Sequence, residues 1–202
     1  MPLSGSITTA IVAKSILDRQ SNATIIHNLI CSRVVEETIF AEGGNAVRSR
    51  VGHSHIKKLM AETGADFAGE HSGHYYFKGN FRADSGIIAA LIVLECMSMK
   101  GVKLSELREV YDIYSSTGEI NYKVQDQKGL LKVVEQKFRD EESDHLDGLT
   151  VKSESWWFNL RPSNTEPLIR LNLEAKSQSK CDEILNIIES IIVAFDQSDG
   201  NH

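Results

Sequence analysis

Apolar positions along the chain switch repeatedly between helical spacing and short β-branched runs, and this alternation defines the predicted elements. Ser6–Arg19 reads as a helix, with Ile11, Val12, Ser15 and Ile16 near one face and Ser6 or Thr8 available as its cap. Ala23–Ile30 suits a buried strand, Arg33–Glu42 is helical up to Gly43-Gly44, and Asn45–Val51 returns to strand. His55–Glu62 places Ile56, Leu59 and Met60 on one helical face and stops at Gly64, and Ala65–Ala68 is a short strand. Tyr75–Ala83 reads as a loop. Asp84 or Ser85 then caps the most apolar helix, Gly86–Met99, whose Ala89, Ala90, Val93 and Met97 suit packing against a sheet. Leu104–Tyr111 is a last short helix. Helices alternating with short strands predict an α/β/α layering around a mixed, largely parallel sheet.

The pattern changes at Ser115-Ser116-Thr117-Gly118, a small polar stretch that reads as a linker. Beyond it, Ile120–Val124 alternates as a half-buried strand and Leu130–Arg139 is helical. Asp140–Asp144 reads as a solvated acidic loop. Leu149–Ser153, Trp156–Leu160 and Leu168–Ala175 read as strands, and Asp182–Phe195 as a closing helix with Ile184, Leu185, Ile188, Ile191 and Ile192 facing a core. The expected organisation is an α/β domain over residues 5–115 and a smaller α+β domain over 118–197, with an antiparallel sheet and two helices.

Composition narrows the setting. The 202 residues are 41% hydrophobic and 25% charged, ordinary for a globular protein, and long enough for two domains with cores of their own. A formal charge of −6 argues against a broad nucleic-acid surface and leaves room only for local basic pockets. The apolar runs are too short to span a bilayer. Cys31, Cys96 and Cys181 are far apart and lack any metal or redox spacing, which reads as reduced thiols of a cytoplasmic protein.

Three stretches carry candidate chemistry. Gly69-Glu70-His71-Ser72-Gly73-His74 packs a carboxylate, imidazoles and a hydroxyl between two glycines, poor core material that suits a surface loop reading a hydroxyl-rich ligand. In that role Glu70 would accept two sugar hydroxyls, with Ser72 and His74 beside it; the alternative is a polar turn that happens to hold histidines. Arg161-Pro162-Ser163-Asn164-Thr165-Glu166-Pro167-Leu168-Ile169-Arg170 lies between two predicted strands, with Pro162–Glu166 as the connection. The Arg161 fork, the hydroxyls of Ser163 and Thr165, and the Asn164 amide match a phosphate in geometry and charge. The alternative there is a polar turn with Arg161 in a surface ion pair. Arg50-Val51-Gly52-His53 joins a strand end to a helix starting near Ser54, which favours a neutral, proton-accepting His53 and places Arg50 to hold an anion. A capping or packing role for His53 is the alternative. Of Trp156-Trp157, one reads as core and one as a rim contact, and Asp84 reads as a helix cap. No cluster has metal-ligand spacing.

Together these stretches resemble the C-terminal half of the α-D-phosphohexomutases, closest to the bacterial phosphomannomutase/phosphoglucomutase group. The matching motifs are Gly-Glu-His-Ser-Gly-His at 69–74, Arg-Val-Gly-His at 50–53 and Arg-Pro-Ser-Asn-Thr-Glu-Pro at 161–167, and the resemblance runs from Ser6 to Phe195. It implies the family's third domain followed by a fourth, TATA-binding-protein-like domain. It implies that Glu70 and Ser72 grip sugar hydroxyls, that Arg161, Ser163, Asn164 and Thr165 bind the non-transferred phosphate, and that His53 and His74 serve proton transfer and substrate contact. The implied activity moves phosphate between O1 and O6 of mannose or glucose through a hexose 1,6-bisphosphate, which also serves as activator, with Mg2+ as cofactor.

The family's phosphoserine loop and its Asp-x-Asp-x-Asp magnesium loop do not occur in these residues. Met1-Pro2-Leu3 therefore reads as a start just past the magnesium loop, the chain as an inactive half, and the preceding domains as its partner. One position departs from the family pattern: Ile30 stands where many members have a ligand-reaching lysine, leaving Arg33 or Arg50 to supply that charge. Phosphoglucosamine mutase is the nearest alternative, although its phosphate loop usually reads Ser-Gly-Thr and this one reads Ser163-Asn164-Thr165. A non-catalytic phosphosugar-binding module is the alternative of a different class.

Overall fold

Thr24–Asn28 (β1) is buried at four successive residues, Ile25 to Asn28, as a strand covered on both faces must be. It lies between Asn45–Ser49 (β2) and Phe67–Gly69 (β3) and runs parallel to both. The computed structural model describes residues 2–163 and 166–199, the last three of these by backbone alone. They divide into two units, Met1–Ile113 and Tyr114–His202, each with its own five-stranded sheet.

In the first unit the chain does not leave the sheet after β3. It turns back as Tyr75–Phe77 (β4), antiparallel to β3, and pairs again through Ala83–Asp84 (β5), giving the order β2-β1-β3-β4-β5. The stretch read as a loop is therefore two strands joined by a short turn. Strands of three and two residues are too short to show a period of two.

Helix His53–Thr63 (α3) covers one face of this sheet, its Ile56 and Met60 packing with Ile26, Ala68 and Tyr76. The opposite face holds Gly5–Leu17 (α1), which touches both Arg33–Ala41 (α2) and Gly86–Lys100 (α4). Sandwiched between sheet and helices, α1 is buried almost all round and needs no polar stripe. Its cap is Ser4, whose hydroxyl accepts from Ile7 N, and not Ser6 or Thr8. Leu104–Glu109 (α5) completes the unit.

Two glycines let α1 sit where it does. A Cβ on Gly69 would lie 2.2 Å from Thr9 Oγ1, a hydroxyl already fixed by donating to Gly5 O at 2.8 Å. A Cβ on Gly5 would lie 2.3 Å from His71 O and 2.7 Å from Glu70 O. The glycine that opens the 69–74 motif thus serves close packing of a helix against the sheet. The helix in turn supports the motif from beneath.

The second unit is an antiparallel sheet in the order β6-β10-β9-β8-β7, formed by Ser115–Lys123 (β6), Glu142–Asp144 (β7), Leu149–Lys152 (β8), Trp156–Pro162 (β9) and Leu168–Ala175 (β10). Gln127–Lys137 (α6) and Gln178–Asp199 (α7) supply Leu130, Val134, Ile184, Ile188 and Ile192 to a core with Leu149, Val151, Phe158, Leu160, Leu171 and Leu173. The expected linker is the first half of β6. As an edge strand with alternating exposure it tolerates the small polar residues Ser115 to Gly118. The acidic run is likewise an edge strand, β7. Both tryptophans are buried, and Trp157 Nε1 donates to Glu174 Oε1 at 2.9 Å, so neither is a rim contact.

Gly5→Ala should destabilise the first unit by ~1–3 kcal/mol, because the new methyl meets backbone atoms that have nowhere to retreat. Both tryptophans lie in the second unit, so their fluorescence would miss the change. Urea unfolding followed through amide signals of α1 should show the lower midpoint.

Candidate functional site

Glu70 follows β3 directly, at the carboxyl ends of the parallel strands, where open α/β sheets place their ligands. The motif that contains it is the hairpin connection between β3 and β4, closed by Glu70 N to His74 O at 2.9 Å and Gly73 N to Glu70 O at 3.0 Å. Its carboxylate is not displayed to solvent. Glu70 is 2% exposed. Oε1 accepts the Tyr76 hydroxyl at 2.8 Å, and Oε2 accepts Gly52 N at 3.2 Å and Asn28 Nδ2 at 3.3 Å. Those donors come from β4, the turn after β2 and the end of β1. This corrects the surface reading of Glu70: a carboxylate can be buried when donors surround both its oxygens. Ser72 is exposed at the tip of the turn and His74 is half-buried.

The helix α3 begins at His53, one residue earlier than expected, with Gly52 as its cap and no side-chain bond to the cap. His53 is exposed, and its Nδ1 hydrogen-bonds the Tyr76 hydroxyl. Its ring meets His74 edge-on, with centroids 4.3 Å apart and planes at 63°. His74 Nδ1 bonds Asp84 Oδ2 at 2.7 Å, and Asp84 Oδ1 accepts Tyr75 N at 2.8 Å. Asp84 is therefore the partner of His74, while Ser85 caps α4 by accepting from Ile88 N. Burial pushes the Asp84 carboxyl upward, but the Tyr75 N–H and the nearby His74 together outweigh it and hold the group below its ordinary value. Burial, then the hydrogen bond to Glu70 and its charge, push the Tyr76 hydroxyl well above its ordinary value. Arg50 is exposed at the end of β2.

In the second unit Arg161 belongs to β9, which runs to Pro162, and not to the turn that leads into β10 at Leu168. Ser163 N donates to Leu168 O at 2.9 Å and closes that turn. Asn164 and Thr165 lie outside the described residues. Arg161 stands directly across from Arg170 of β10, and Glu119 of β6 lies 3.6 Å from both guanidinium groups. Two cations thus share one anion.

Both units have matches among known proteins. A family model described as phosphoglucomutase/phosphomannomutase, alpha/beta/alpha domain III, matches residues 4–114, and one described as the C-terminal domain of the same family matches residues 119–190. The chain belongs to the phosphoglucomutase/phosphomannomutase family. It is 45% identical over 196 residues to a phosphomannomutase of Methanocaldococcus jannaschii, an alignment covering 97% of this chain and 44% of that protein. A crystal structure of a family protein from Burkholderia thailandensis superposes with a TM-score of 0.80 at 27% identity, over 95% of this chain and 42% of that one. Aspergillus fumigatus N-acetylphosphoglucosamine mutase, solved in complex with glucose 1,6-bisphosphate and separately with GlcNAc-6P and magnesium, shares the fold at 14% identity, with TM-scores of 0.69 and 0.68. Each of these covers 94% of this chain and 43% of the other. The chain spans under half the length of the curated relatives it matches.

The sequence reading gave no role to Tyr76, Glu119 or Arg170 in these phosphohexomutase units, and it read Asp84 only as a helix cap. Arg170 was the accessible one, since counting outward from the turn puts it opposite Arg161. Tyr76 had no signal: it fell in a stretch read as a loop, and only the pairing that makes this stretch β4 buries its ring in the core.

The lowered Asp84 carboxyl has a pH consequence. Its contribution to stability is present above its ordinary value of 3.8 and is lost as pH falls through the lower folded value. Unfolding of the first unit measured across the acid range should show this loss, and Asp84→Asn should remove that part of the pH dependence.

Proposed function

We propose that this chain is the sugar-phosphate recognition half of a phosphohexomutase that interconverts hexose 1-phosphate and hexose 6-phosphate, mannose or glucose, through a bisphosphorylated intermediate. The observation that carries the reading is the occurrence, in family order, of a domain III match with paired imidazoles at its strand ends and a C-terminal domain match with paired arginines at its turn. The intact enzyme's remaining domains are its partner in this reading, and the cytoplasm its compartment. Among the described residues no helix is long and apolar enough to cross a membrane.

Arg161 and Arg170 bind the non-transferred phosphate together with the turn at Ser163, Asn164 and Thr165. Arg161 meets two phosphate oxygens at once, a geometry that lysine does not reproduce. Ser72 and His74 meet the sugar hydroxyls from the exposed side of the hairpin, and Arg50 adds positive charge at the end of β2. Glu70 presents a carboxylate from the floor of the site, with its oxygens shared among Tyr76, Gly52 and Asn28. His53 exchanges a proton with the reacting hydroxyl. Among the described residues no group of three or more His, Cys, Asp or Glu is arranged to hold a metal ion. The described residues do not fit the implied Mg2+.

Arg161→Lys should weaken binding of inorganic phosphate and of glucose 6-phosphate alike, by roughly ten- to a hundredfold in calorimetry, because the charged bidentate contact is lost. Equal binding by the variant would remove the second unit from the reading. Glu70→Gln should weaken glucose 6-phosphate binding while leaving inorganic phosphate unchanged. It should also lower the stability of the first unit by ~1–3 kcal/mol, since buried donors would face an amide N–H. Stability loss with unchanged sugar-phosphate affinity would restrict Glu70 to holding the fold.

A further inference from the structure

We propose that Tyr76 is a positioning residue for His53, fixing which imidazole nitrogen carries the proton, and so gives the buried Glu70 a second task besides any contact with sugar. This rests on the proton-exchanging role given to His53 above. A phenol has one hydrogen to donate. Glu70 Oε1 lies 2.8 Å from the Tyr76 oxygen, and Glu70 receives two further N–H donors on Oε2, the environment of an ionised, acceptor-only carboxylate. The Tyr76 hydrogen therefore goes to Glu70. The remaining contact of the phenol oxygen, with His53 Nδ1, is then one in which Nδ1–H donates. Burial and the neighbouring carboxylate keep the phenol protonated, consistent with this direction.

In neutral His53 the lone pair is thus on Nε2, which has no hydrogen-bond partner among the described residues, on an exposed residue at the first turn of α3. A proton arriving at Nε2 from a sugar hydroxyl produces an imidazolium whose Nδ1–H stays on Tyr76. The charge is compensated through the phenol by Glu70, and no proton needs to travel along the chain. The other groups facing His53 are consistent with this polarity. His74 packs edge-on against it and is itself held through Nδ1 by Asp84. Both rings therefore keep Nδ1 for the protein and leave Nε2 for a ligand.

The test is imidazole tautomer assignment by long-range 1H–15N correlation on the 202-residue chain without ligand, above the pH at which its histidines titrate. Wild type should show His53 and His74 both as Nδ1–H forms with a pyridine-like Nε2. In Tyr76→Phe, a shape-conserving change, His53 should shift toward the Nε2–H form while His74 stays unchanged. His53 found as Nε2–H in wild type, or left unaltered by the substitution, would overturn the proposal. Should Tyr76→Phe fail to fold, the wild-type tautomer decides alone. No ligand enters the measurement, so failure to bind sugar phosphate would defeat the functional reading without being mistaken for failure here.

Discussion

A carboxylate buried to 2% exposure with donors on both oxygens is the constraint around which the first unit is built. Glu70 draws together the end of β1 through Asn28, the turn into α3 through Gly52, and β4 through Tyr76. Removing water from an unpaired carboxylate would cost several kcal/mol, so each donor must be delivered accurately by its own element. The same requirement explains the glycines. The turn that carries Glu70 rests directly on the first residue of α1, and β3 reaches that helix without an intervening side chain.

Much of this architecture was legible in the sequence. Helices α2, α3 and α4 and the parallel strands announced themselves through periodicity, β-branched runs and glycine stops, and the motifs at 50–53 and 69–74 do lie at one end of one sheet. What periodicity could not reveal were features decided by pairing. Short strands such as β4, β5 and β7 owe their existence to a neighbour, not to their own pattern. The linker reading failed because small polar residues describe an edge strand as well as a tether. Glu70 was misplaced at the surface because composition says that carboxylates avoid interiors, and only the fold supplies the donors that make an exception. Asp84 looked like a cap because it precedes a helix, yet the adjacent Ser85 takes that role and frees Asp84 for His74.

The two units divide the chemistry by type. The first gathers imidazoles, carboxylates and a phenol whose orientation depends on hydrogen bonds between strands and a helix start. The second offers charge from adjacent strands of an antiparallel sheet, a simpler device that needs only register.

Glu119 gives that second device a particular character. Lying 3.6 Å from Arg161 and from Arg170, it serves as an internal counter-ion that the protein carries with it. Two guanidinium groups left alone on neighbouring strands would repel and splay, and each would have to be re-ordered when a ligand arrived. With a shared carboxylate they are kept near each other beforehand, and part of the entropy of assembling the site is met during folding. The arriving anion must then compete with a resident one. Under the proposed reading, a dianionic phosphate would gain more from displacing that carboxylate than a monoanion would, and the ion pair would set a charge threshold.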